Sequence, residues 1–470
     1  MQIWKKYWVW IVAVFLIGFF WWTRFYNIRT AFFFYGDQGR DMLVLWDWKT
    51  TGKPPLLGPQ TGAIPMNQSA IYFYILYPLF LVFGASPVSS VYTIALFYIG
   101  CLAIGLYLLR GRKELQSVTL IIFFLSIIHP QYIIQTRYVW NPSFLPPLLS
   151  VAFINLFLLT EKFGFRKLFI FSISMALAVS LHFPAGAFLI ASVLYICIFW
   201  KKFRVATIFS LIGFLILFNL PTLVFEARHG FLITKNLLGQ EWIGTQQFTV
   251  VENIRRMAIF VFSTKIYVLD YLLLFSTLVY GTYKFWKEPR KLGGIVGFLF
   301  ISSFVITFAS KMAFHTHYIF GFTTLLFMLI ATSRSFAKWI IVFILGIIYL
   351  NPTQILNNYV PANRTMGQMK SCFQRVCADF KEPIFVSVQA DFHPYHNGPE
   401  HRFMMKQAGC DVKYIEETSQ RAELMAVVLE NSDFIAGQTG YNELTMFGKA
   451  TEIKRYNCQA NFGVVILNKK

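Results

Sequence analysis

Acidic side chains are scarce in this 470-residue chain, 22 Asp and Glu against 42 Lys and Arg, and charged residues of both signs make up only 14% of it. Soluble domains carry roughly a quarter charged residues, so a wholly soluble fold is excluded. Also missing are a Walker loop, a dinucleotide fingerprint, a Gly-x-Ser-x-Gly elbow and any Cys-x-x-Cys pair. Nucleotide chemistry in a soluble site therefore has no support. No strong internal repeat or low-complexity tract is present, which counts against an architecture of inverted repeats. The apolar run after Lys5 and Lys6 lacks a small-residue cleavage site and ends on Trp21-Trp22-Thr23-Arg24, which reads as an interfacial stop after an uncleaved anchor.

What is abundant is apolar surface: 56% of residues are hydrophobic, 19% aromatic, and the mean hydropathy is +0.54. This composition predicts an α-helical polytopic membrane protein. At about 20 residues per span, eleven candidate helices fall at residues 7–23, 87–109, 116–134, 144–160, 168–182, 185–200, 205–222, 261–282, 292–310, 317–333 and 337–350. The net charge of +20 is not a nucleic-acid signature, because most of it sits in short connections at 110–113, 162–167, 201–204, 284–291 and 334–338. The positive-inside rule places these and the N-terminus in the cytoplasm. Residues 71–84, rich in Tyr and Phe and interrupted by Pro78, then lie along the outer surface as a juxtamembrane helix.

The expected division is a membrane domain at 1–350, with outer loops at 24–86 and 225–256, followed by a small extracytoplasmic α/β domain at 351–470. That tail has β-like runs at 384–388, 412–415, 424–429 and 464–468. It holds Cys372, Cys377, Cys410 and Cys458, an even number that permits two disulfides outside the cytosol without revealing the pairing.

Chemistry concentrates at the outer helix mouths. In Phe34-Tyr35-Gly36-Asp37-Gln38-Gly39-Arg40-Asp41, a helical turn brings Asp37, Arg40 and Asp41 to one face. Paired carboxylates suit a proton acceptor. The same residues also suit a helix start, with Asp37 capping a helix that begins at Gln38. Arg137, in Thr136-Arg137-Tyr138-Val139-Trp140-Asn141, is either an interfacial anchor or a bidentate grip on a lipid phosphate. Glu226, Arg228 and His229 sit where a sugar or diphosphate could bind, or where a solvated loop begins. His182 reads first as a hydrogen-bonded structural histidine and second as a cavity group. Lys311, His315, His317 and Tyr318 mark another helix start, with weak metal-ligand spacing. The patch formed by residues 391–396 with His401 reads as loop.

The order of these features resembles the GT-C superfamily of membrane glycosyltransferases, in the branch of protein O-mannosyltransferases and lipid A aminoarabinose transferases. One span is followed by a long outer loop with an acidic motif, then juxtamembrane helices, Gly84-Ala85-Ser86-Pro87, a charged mouth after the third span, and a soluble outer domain. Gln38 stands where mannosyltransferases usually carry a second acid, and Asn141 lies near where aminoarabinose transferases place an aspartate. The resemblance, over roughly residues 1–350, implies transfer of a hexosyl or pentosyl group from a polyprenyl-phosphate donor to an outer lipid, glycan or protein acceptor, with no obligatory metal or other cofactor. It implies Asp37 as base with Asp41 beside it. The substrate-binding group is Arg40, Arg137, Asn141, His182, Glu226, Arg228, His229, Lys311, His317 and Tyr318. The plasma membrane is the expected location, and nucleic acid is not an expected partner. The rival class is a transporter or flippase for a lipid-linked saccharide, which would bury its ionisable groups near the bilayer midplane. A polysaccharide polymerase or ligase would instead place its large outer loop late in the chain.

Overall fold

The computed structural model describes residues 2–61, 66–199, 205–239, 249–309, 316–333, 336–351, 356–362, 364–390, 398–431, 442–459 and 461–470. They form two compact units. The first comprises Met1–Phe25, Pro55–Pro78 and Ser90–Asn358; the second comprises Tyr26–Pro54, Leu79–Ser89 and Tyr359–Lys470. The acidic stretch thus groups with the C-terminal residues, whereas the division read from the sequence places it within 1–350.

The first unit is helical. Among the described residues, Tyr7–Phe25, Ser89–Leu108, Asn141–Glu161 and Leu292–Ala309 are long and apolar enough to cross a membrane, and the number rises to seven if each of three bent helix pairs is one span. Shorter apolar helices occupy Ile71–Val82, Phe183–Ile198, Phe320–Thr332 and Ala337–Tyr349, and Phe165–Leu181 is also helical. All eleven stretches read from the sequence contain a helix, but three are not straight. Lys113–Ile128 and Pro130–Arg137 meet at 73°, Ala206–Phe218 and Leu220–Arg228 at 61°, and Val250–Phe262 and Tyr267–Lys287 at 91°. The described residues of the expected outer loop at 225–256 are largely helical, through Leu220–Arg228, Leu232–Gly239 and Val250–Phe262.

The first break has a local cause. Pro130 has no N–H, so the carbonyl of Ser126 loses its partner four residues on, and the bend frees that of Ile127. Arg24 supplies the missing donors: Nη2 reaches Ser126 O at 3.1 Å and Nη1 reaches Ile127 O at 2.7 Å, while Nε donates to Thr136 Oγ1 at 2.8 Å. Its guanidinium also lies 4.5 Å from the centre of the Phe20 ring. Arg24 is fully buried. The expectation of an interfacial stop there is corrected: the charge is turned inward because broken helix ends need donors where water is absent.

The second unit is built on a mixed five-stranded sheet. Its strands are β3 (Ile384–Ala390), β4 (Val412–Lys413), β5 (Leu424–Glu430), β6 (Ala450–Gln459) and β7 (Phe462–Lys469), in the order β4-β3-β5-β7-β6, following a two-stranded pair elsewhere of β1 (Leu57–Gln60) and β2 (Asn67–Ser69). Strands β3, β4 and β5 run parallel; β7 is antiparallel to β5 and β6. Every residue of β5 is buried, as befits a central strand covered on both faces. Met425, Val427 and Leu429 join Phe385, Phe447, Val465 and Leu467 in one core. The two-residue period turns Ala426, Val428 and Glu430 to the opposite face. The sequence missed β6, whose mostly exposed, charged run carries the signature of an edge strand.

Two disulfides fasten this unit. Cys372–Cys458 joins the Met366–Asp379 helix to β6, and Cys377–Cys410 joins the same helix to the approach to β4. Cys101 and Cys197 are free. Non-reducing peptide mapping should recover these two pairs with both other cysteines alkylated. Replacing Cys458 with Ser opens a loop of 86 residues and should destabilise the unit by about 4 kcal/mol, measured by denaturant unfolding; alkylation of Cys372 in unreduced native protein would refute the pairing.

Candidate functional site

The acidic motif begins a helix, Asp37–Thr51, with Gly36 as its N-cap and Asp37 in the first turn. The cap position is therefore one residue earlier than expected. Gly36 has φ +50°, a conformation costly for a side chain to follow. The helical face predicted for Asp37, Arg40 and Asp41 is present, with the cation between the acids. Arg40 Nη1 lies 2.6 Å from Asp37 Oδ1, while its Nη2 and Nε reach Asp41 Oδ1 at 2.9 and 3.1 Å. Asp41 is 1% exposed and Asp37 39%. Asp37 is thus open at the surface, while the buried Asp41 holds Arg40.

A buried set of charges lies against this helix start within the same unit. Glu400 Oε2 accepts from the Gly36 N–H at 3.2 Å, and Arg364 Nη1 donates to Phe34 O at 3.2 Å. Arg364 is also paired with Glu400 Oε1 at 2.9 Å and with Glu430 Oε1 at 2.5 Å. His401 Nε2 lies 2.5 Å from the same oxygen of Glu430. A Cβ placed on Gly39 would overlap the backbone of Pro399 and Glu400, so glycine is what allows the two helices to approach here. Farther along, Lys406 Nζ pairs with Asp47 at 3.1 Å, and Phe403 receives the edges or faces of Phe34, Trp46 and Phe80.

Glu400, His401 and Glu430 offer ligand atoms within 4.8 Å of one another. Arg364, however, already supplies a cation to both carboxylates. Burial pushes the Tyr35 hydroxyl up to about 12, with the Glu400 and Glu430 charges acting in the same direction, which keeps it a neutral phenol. His401 belongs to the Pro399–Ala408 helix and is fully buried, which corrects its assignment to a loop; residues 391–396 lie outside the described residues.

In the first unit the sequence candidates separate. Arg137 is buried and donates from Nη1 to the carbonyl of Arg24 at 2.8 Å. Asn141 Nδ2 donates to Leu181 O at 2.6 Å. Glu226 is not a solvated loop residue: its oxygens accept from the N–H groups of Ile233 and Thr234, both at 2.9 Å, and from Thr234 Oγ1 at 2.6 Å. It anchors the start of the Leu232–Gly239 helix, where amides need acceptors. Arg228 and His229 are exposed, and His229 stacks on Phe225 with ring centres 4.0 Å apart. Lys311 and His315 lie outside the described residues.

What does gather is an imidazole and aromatic cluster. His182 and His317 have ring centres 5.4 Å apart, His182 and Tyr318 5.5 Å, and Trp140 and His317 4.5 Å. His182 is buried, and neither of its ring nitrogens has a hydrogen-bond partner among the described residues. The described residues thus supply no partner for the hydrogen-bonded histidine that was expected here. Trp140 was legible only as an interfacial aromatic.

The buried charges give the second unit an acid-sensitive fold. Burial and the Arg364 charge hold the His401 pKa below its usual 6.5, against the opposing pull of Glu430. Burial raises that of Glu430, but the hydrogen bond from His401 and the Arg364 charge prevail and keep it below the ordinary range. Both groups bind protons more readily when unfolded, so their contribution is complete above pH 6.5 and is lost as pH falls, His401 acting first. Melting at pH 7.5 and pH 5.5 should show a lower Tm in acid, and His401→Gln should flatten the decline that sets in just below 6.5. A Tm independent of pH across this interval would contradict the assignment.

No protein-family model and no curated protein matches this sequence. Solved structures do match. The chain is similar to ArnT from Cupriavidus metallidurans bound to undecaprenyl phosphate, with a TM-score of 0.65 and 9% identity over 98% of each chain. Against the apo state of that protein the TM-score is 0.62, with 10% identity over 99% of this chain and 98% of the other. Identity this low speaks for the fold alone, and that fold is the one shared with these ArnT structures: apolar helices with a small sheet domain near the C-terminal end.

Proposed function

We propose that this chain is a membrane glycosyltransferase that moves a sugar from a polyprenyl-phosphate donor to an acceptor on the extracytoplasmic side, with Asp37 as general base. The observation that carries the reading is the fold shared, along almost the whole of both chains, with an ArnT that binds undecaprenyl phosphate. The N-terminus would lie in the cytoplasm and the C-terminal domain outside, in keeping with the basic connections between helices.

The chemistry asked of Asp37 is limited. An acceptor hydroxyl attacks the anomeric carbon, the bond to the donor phosphate breaks, and polyprenyl phosphate leaves with the bonding pair. Asp37 takes the hydroxyl proton. Attack from the face opposite the leaving group inverts the anomeric centre. Arg40 engages Asp37 Oδ1, which orients the carboxylate while the other oxygen can accept the proton. A general base of this kind contributes about 10²- to 10⁴-fold.

The leaving phosphate carries charge that a preorganised cation or hydrogen-bond donor can stabilise without a metal. The resemblance assigns that task to Arg137, whose guanidinium is oriented by the Arg24 carbonyl. The cluster of His182, His317, Tyr318 and Trp140 fits a ligand with both polar and ring-like surfaces, and the buried imidazole of His182 supports such a role. The identity of the sugar and of the acceptor would follow from comparing lipids and surface glycans by mass spectrometry, with and without active protein.

Two variants test the reading in purified, reconstituted protein. Asp37→Asn should lower transfer from undecaprenyl-phosphate sugars at least 100-fold with an unchanged Tm; retained turnover would sink the base assignment. Arg137→Ala should weaken undecaprenyl phosphate binding more than acceptor binding. Unchanged donor affinity in a folded variant would remove Arg137 from the donor site.

A further inference from the structure

We infer that the buried pair Arg364 and Glu400 is a positioning device that sets the conformation of the acidic loop, so that the C-terminal domain supplies an essential part of the Asp37 site. The inference rests on the proposed function for its catalytic purpose, but its structural content stands on separate observations.

Each of the two ions divides its bonding between its partner and the loop backbone. Glu400 gives Oε1 to Arg364 and Oε2 to the N–H of Gly36, the residue immediately before Asp37. Arg364 gives Nη2 to Glu400, Nε to Glu430 and Nη1 to the carbonyl of Phe34. The loop is thus gripped on both sides of Tyr35, once by a carboxylate and once by a guanidinium. Both ions are nearly or wholly buried, where such bonds are strong and a lost partner is not replaced by water. Glu430 and His401 complete the set from the sheet and the helix, which prevents Arg364 from turning away.

Backbone shape points the same way. Gly36 is held at φ +50°, and the following turn starts with Gln38 N–H on Tyr35 O at 3.2 Å and Arg40 N–H on Gly36 O at 3.0 Å. A small rotation at Gly36 would swing Asp37 and the Arg40 that pairs with it. Gly39 adds a steric stop, since its Cα face rests on the backbone of Pro399 and Glu400. Electrostatic grip and close packing therefore fix the first helical turn from two directions. Arg364 and Glu400 act through that turn; they are positioning residues.

The test is hydrogen–deuterium exchange on the full-length protein in detergent, comparing Glu400→Gln, Glu400→Ala and Gly39→Ala with the parent. One amide oxygen cannot serve both Gly36 and Arg364, so Glu400→Gln should speed exchange of the Gly36 to Arg40 amides at least tenfold. Glu400→Ala should speed it further. Gly39→Ala should do the same by pushing the helix start off the backbone of Pro399 and Glu400, with no charged group removed; it and Glu400→Gln keep the test valid if Glu400→Ala fails to fold. Peptides from β5 serve as the control for the fold and should be unchanged in Glu400→Gln. Unchanged exchange in both Glu400→Gln and Gly39→Ala would overturn the inference.

Turnover is read in parallel with undecaprenyl-phosphate monosaccharides as the probe. Positioning predicts a fall in kcat of at least tenfold with the donor KM within twofold. Faster exchange without loss of turnover would uphold the grip on the loop and instead refute Asp37 as the base, so the two failures are distinguishable.

Discussion

A buried guanidinium with several acceptors around it organises the second unit. Arg364 faces Glu400 on a helix, Glu430 at the end of a central strand and the carbonyl of Phe34 on a loop from the other end of the chain. Removing a buried charge from water is expensive, and the expense is offset only when each donor finds a partner in good geometry. The three partners come from segments that share no local sequence. Their meeting is therefore a condition on the whole unit, and the acidic helix inherits its starting point from it.

The first unit meets a related demand with Arg24. There the acceptors are backbone carbonyls exposed by a proline-induced break, and the guanidinium closes them off inside an apolar bundle. Arg137 extends the same pattern by donating to the carbonyl of Arg24 itself. The first arrangement joins ions to ions; the second joins an ion to peptide dipoles. In both, arginine serves because its planar fork can reach several acceptors at once and retains its charge when buried.

Local pattern carried some of this and not the rest. The face shared by Asp37, Arg40 and Asp41 was legible because it depends only on helical spacing within five residues. So were β3, β5 and β7, whose apolar runs stand out from a polar tail. Strand β6 was not, because an exposed edge strand has no apolar run. Arg24 was read as an interfacial stop and Glu226 as a ligand-binding or solvated loop residue, since nothing near them in sequence announces a broken helix or a distant amide. Gly36 and Glu400 lie 364 positions apart, and no periodicity connects them. His401 looked like part of a loop because its Glu430 partner comes from a strand of the sheet, distant in sequence from the helix that carries it.

The second unit is also discontinuous in a way that bears on biosynthesis. Its pieces are Tyr26–Pro54, Leu79–Ser89 and Tyr359–Lys470, and Cys372 finds its partner only at Cys458, close to the chain end. A growing chain would present the acidic segment hundreds of residues before the groups that hold it exist. Ribosomal synthesis runs at about 5–20 residues per second, so for tens of seconds that segment has no Glu400 to rest on. The start of the acidic helix would stay unheld until then, and the five-stranded sheet would be complete only with its last strand.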